Sequence, residues 1–86
     1  MNAMTKDEFD NLHPAIREIL DFFAFDHLPP HLGAVSEPFA HLAEQIALRS
    51  LDDRSRGAET TVALRKLLES KDAAVRAVLP LRGWQG

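Results

Sequence analysis

The residues best equipped for chemistry lie in one short run: Arg54, Arg56 and Gly57 stand just before a helix start, and Thr60 and Thr61 fall in its first turn. Backbone N–H groups at a helix start attract anions, a guanidinium grips a phosphate through two parallel hydrogen bonds, and a threonine hydroxyl can donate another. This spacing predicts a site for a phosphate-bearing ligand. Other constellations read as structural. His27 and His31 stand four apart, as paired metal ligands do on a helix, but Pro29 and Pro30 between them break that geometry, and no metal is expected. Asp52 and Asp53 sit in a polar loop and read as turn and capping residues, not as an acid–base pair. There is no cysteine, no nucleophile elbow, no phosphate loop ending in Lys-Ser/Thr and no dinucleotide fingerprint. The expectation is a protein that is not an enzyme and uses no cofactor.

Charge agrees with the placement of an anion site. The net charge of −3 argues against binding a nucleic acid polymer, but it is divided along the chain. Residues 1–48 hold two bases against eight acids, a balance of −6, whereas residues 49–86 hold eight bases against five acids, a balance of +3. No apolar run approaches the roughly 18 residues of a membrane span. The opening MNAMTKDEFD is acidic where a signal peptide would be basic and then apolar. A cytoplasmic protein with no membrane partner is expected.

Three helices must position these groups. Thr5-Lys6-Asp7-Glu8 has capping-box spacing and can start a short turn, and His13-Pro14 marks a firmer start, predicting a docking helix over 14–25. On it Ile16, Ile19, Leu20 and Phe23 form the apolar face, widened by Phe22. The prolines of FDHLPPHL, 25–32, impose a stiff elbow. Ser36 as N-cap with Pro38 in the first turn predicts a second helix over 37–50, its face formed by Phe39, Leu42, Ala43, Ile46 and Ala47, with 30–35 adding a preceding turn. Arg49 to Ala58 is a polar loop, and strong helix formers predict a third helix over 58–79, ended by Pro80. The domains expected are an N-terminal segment, 1–24, a helical hairpin, 25–80, and a tail, 81–86.

The third helix carries two stripes. Thr61, Leu64, Leu68, Val75, Val78 and Leu79 form a bulky one, and Ala63, Leu67, Ser70, Ala74 and Ala77 form a strip of mostly small residues. One antiparallel partner cannot cover both, and an 86-residue chain without disulfides often completes its core by self-association. The fold class expected is all-α: an N-terminal helix plus an antiparallel helical hairpin, assembling as a homo-oligomeric bundle.

In ETTVALRKLLESKDAAVRA, 59–77, the order of Glu59, Thr61, Val62, Ala63, Leu64, Lys66, Leu67, Glu69, Ser70 and Ala74 resembles the last helix of a family of bacteriophage helical hairpins, the anti-CBASS and anti-Thoeris nucleotide sponges. The resemblance extends back through FDHLPPHL and PFAHLAEQI and covers about Phe25 to Leu79. An aromatic near the middle of the family's last helix is replaced here by Lys71, Asp72 or Ala73. The resemblance implies tight, non-catalytic binding of a cyclic oligonucleotide or cyclic ADP-ribose-type immune signal between protomers of a homodimer or hexamer, in the host cytoplasm of a phage-encoded protein. It implies Phe25 stacking on a base, Pro29 walling the pocket and His27 donating a hydrogen bond. Arg54 or Arg56 would clamp phosphate, with Thr61, Arg65 and Lys66 as further donors. The alternative is a helical protein-interaction module with no small-molecule ligand.

Overall fold

The computed structural model describes residues 4–79, and all regular structure among them is helical. Helices α1 (Lys6–Asn11), α2 (Pro14–Asp21), α3 (Pro30–Arg49) and α4 (Gly57–Ala77) follow in order, with a 3₁₀ turn over Arg54–Arg56. No helix among the described residues is long and apolar enough to cross a membrane. The tail, including Trp84, lies outside the described residues.

The N-terminal capping signal makes a full short helix. The Thr5 hydroxyl accepts from Glu8 N at 3.1 Å, and Glu8 Oε1 accepts from Thr5 N at 2.9 Å, so the two ends of the first turn satisfy each other. At α2 the His13 imidazole caps, Nδ1 accepting from Ala15 N at 3.0 Å, with Pro14 at the first helical position. The predicted helix over 14–25 ends early, at Asp21. Phe22, Phe23 and Ala24 each donate to the carbonyl three residues back, which tightens the chain out of α-helical register. That tightening buries Phe23 beside Ile16 and Ile19 but turns Phe22 outward to 63% exposure, so Phe22 does not widen the docking face.

α3 departs most from expectation. It begins at Pro30, with the turn expected over 30–35, but that turn is continuous with the rest of the helix through Pro38. Proline at position 38 removes the donor for the Ala34 carbonyl, and both residues are exposed, so water can serve that carbonyl in place of an amide. Ser36 is therefore not an N-cap but a fully buried mid-helix residue. The buried face is Ser36, Ala40, Ala43, Ala47 and, just past the helix, Ser50, spaced four and three apart. Leu42, expected inside, is 45% exposed. A seam of small side chains lets neighbouring helices approach closely.

α4 packs most extensively on α3 and also receives α2. Leu64 is its one fully buried residue among those described, with Leu67 and Leu68 partly buried against the same core. The two predicted stripes are redrawn. Thr61, Leu68 and Val75 of the bulky stripe are half-buried as expected, but Val78 and Leu79 lie beyond the helix end, 47% and 43% exposed. The small strip divides: Leu67 and Ala74 turn inward, while Ala63, Ser70 and Ala77 face out at seven-residue spacing. Lys71 ties α4 to the end of α2, its Nζ donating to the Phe22 carbonyl at 3.0 Å and lying 3.2 Å from Asp72 Oδ1.

Candidate functional site

The start of α4 forms a shallow cleft of about 280 Å³, lined by His13, Arg54, Ser55, Gly57, Ala58 and Thr61. The loop that supports it is set by Asp53, whose Oδ1 accepts from Ser55 N at 3.1 Å and from the Ser55 hydroxyl. These two bonds, the side-chain one foremost, hold the Asp53 carboxyl below its ordinary value of 3.8. They also fix the 3₁₀ turn from which Arg54 projects. No side chain caps α4, whose N-cap residue is Arg56.

Arg54 and Thr61 are the two predicted site residues that this cleft brings together. The Thr61 hydroxyl donates to the Gly57 carbonyl at 3.0 Å and that of Thr60 to the Arg56 carbonyl at 3.1 Å. Both protons are spent within the helix, so these threonines offer a ligand lone pairs and not the donors expected of them. Arg56 is exposed beside the cleft, and Arg65 and Lys66 are exposed further along α4.

His13 was read in the sequence only as a helix start, yet it lines the cleft. Because its Nδ1 accepts the Ala15 amide, the neutral ring carries its proton on Nε2, which is left as the donor. The signal that could have found it is the pairing of a capping residue with a loop 40 residues away, which only packing reveals.

The remaining predicted residues lie elsewhere. His27 and Pro29 are exposed at the start of α3, and Arg54 and Arg56 lie past its end. Twenty helical residues separate them, about 30 Å of axial rise. One copy of the chain therefore cannot place the elbow and the arginines around the same ligand. Phe25 is half-buried and packs edge-to-face on His41, with ring centroids 6.3 Å apart at 81°. It lines a larger cleft of about 440 Å³, shared with α1 and the middle of α3. Among the described residues no three His, Asp or Glu side chains gather as a metal would require. Compared with protein-family models, curated proteins and solved structures, the chain matches none.

Proposed function

We propose that this chain is a non-catalytic nucleotide sponge: α3 and α4 act as an antiparallel hairpin that sequesters cyclic oligonucleotide or cyclic ADP-ribose-type immune signals, countering bacterial anti-phage defence in the host cytoplasm. The observation that carries the reading is the cleft at the start of α4, where Arg54 and His13 converge beside Arg56 on a chain whose opposite half is acidic. A cyclic nucleotide needs donors for its phosphates and an apolar wall for its bases, and no reacting group.

The separation of the elbow from the arginines by the length of α3 gives self-association a specific role in this reading. An antiparallel pair of copies would set Phe25, His27 and Pro29 of one against Arg54, Arg56, Arg65 and Lys66 of the other, in a homodimer or in a hexamer built from such pairs. The outward strip of Ala63, Ser70 and Ala77 offers a close-packing surface for that contact. Exposure of Phe22 and Leu42 favours a second reading, a helical module that docks on another protein without a small-molecule ligand.

Calorimetric titration with cyclic di- and trinucleotides and cyclic ADP-ribose isomers tests the proposal. The expected result is tight, saturable binding with the ligand recovered intact after denaturation, weakened at least tenfold by Arg54→Ala or Arg56→Ala. Absence of heat with every ligand sinks it, and conversion of the ligand would establish an enzyme instead. Ser70→Trp should reduce both assembly and binding; retention of a host protein by a variant carrying both arginine substitutions would favour the docking module.

A further inference from the structure

We propose that the larger cleft, between α1, the α2–α3 turn and the middle of α3, binds an aliphatic di- or polyamine. Its volume of about 440 Å³ falls in the range of small-molecule sites. Phe9, Phe23 and Phe25 supply aromatic surface, and Asp21 and Asp26 supply carboxylates beside Glu44, which already has a partner of its own. A chain of ammonium groups separated by methylenes matches that alternation: ammonium groups meet carboxylates and ring faces, and the methylenes lie on apolar surface.

The charge balance of the cleft points to a cation for four further reasons. Among the described residues Lys6 is the one base in the lining, and its Nζ lies 2.8 Å from Asp10 Oδ2, so its charge is already answered. Asp21 is the last residue of α2, which has no basic residue in its final turn. A carboxylate there adds to the negative end of the helix dipole, a placement unfavourable to the helix and favourable to a bound cation. The side chains of Asp21 and Asp26 have no hydrogen-bond or ion-pair partner among the described residues. Lys71, which approaches from α4, is committed to the Phe22 carbonyl and Asp72 and does not line the cleft. A bare metal ion is a poor match, since no cluster of three ligands gathers among the described residues. The cleft shares Phe25 with the nucleotide reading, but the cation assignment rests on Asp21, Asp26 and Phe9, which that reading does not use.

Spermidine titrated into the full chain by calorimetry, with amide shifts followed by NMR, tests the assignment. The expected result is one saturable site per chain with shifts confined to residues 4–9, 20–26 and 40–44. Asp21→Asn combined with Asp26→Asn should weaken binding at least tenfold, and Phe9→Leu, which keeps an apolar side chain but removes the ring, several-fold, each with an unchanged far-ultraviolet spectrum. The proposal is overturned if magnesium chloride at matched ionic strength reproduces the shifts, if they spread over the acidic surface, if the variants bind as the parent does, or if spermidine does not bind.

Discussion

Replacing Ser36 by alanine should make this protein more stable. The side chain is fully buried in the small-residue seam of α3, and its Oγ has no hydrogen-bond partner among the described residues. A buried hydroxyl stripped of water without a replacement destabilises the fold by about 1–3 kcal/mol. Alanine is also the better helix former, by about 0.5 kcal/mol at an interior position. Against this stands the loss of a few dispersion contacts of about 0.1–0.2 kcal/mol each. The net expectation for Ser36→Ala is a gain of about 1–2 kcal/mol, which for a domain of this size raises Tm by about 5–15 °C. Urea denaturation followed by circular dichroism, at one fixed protomer concentration so that assembly does not enter the comparison, measures it. A variant equal to or less stable than the parent would refute the reasoning, because the hydroxyl would then have a bonded partner worth more than its burial.

Leu64→Ala removes the one fully buried side chain of α4 and should destabilise by about 2–5 kcal/mol in the same assay. Lys71→Met keeps the apolar stem but releases the Phe22 carbonyl; a loss of about 1–2 kcal/mol is expected, with amide exchange faster at residues 22–25 than elsewhere. The Asp53 carboxyl is lowered in the folded chain, so its contribution is present above its ordinary value of 3.8 and is lost as pH falls through the lower folded value. Amide shifts of Ser55 and Arg56 should therefore move in acid below pH 4, and Asp53→Ala should abolish that transition.

Helical class, the capping residues Thr5 and His13, the break at the paired prolines and the extent of α4 within two residues were all legible locally, because caps, proline geometry and helix propensity act over one or two turns. The continuity of α3 through Ser36 and Pro38 was not. Ser36-Glu37-Pro38 satisfies every local rule for a helix start, yet Pro30 satisfies them too, and starting there places the 36, 40, 43, 47 seam against α4 and α2. Burial of that seam outweighs the single hydrogen bond lost at Pro38, a comparison that requires knowing what packs on the helix.

The candidate site divides in the same way. Sequence alone determined that cationic residues gather before α4 and that the first half of the chain is acidic, since charge order is a property of the chain. Tertiary structure decided that His13 joins Arg54, that the Thr60 and Thr61 hydroxyls are spent inside their own helix, and that His27 and Pro29 lie a full helix length from the arginines. It also decided that three phenylalanines and three carboxylates share one cleft. Spacing along a chain fixes which groups can meet within a helix, whereas distances between helices are fixed by how their side chains pack.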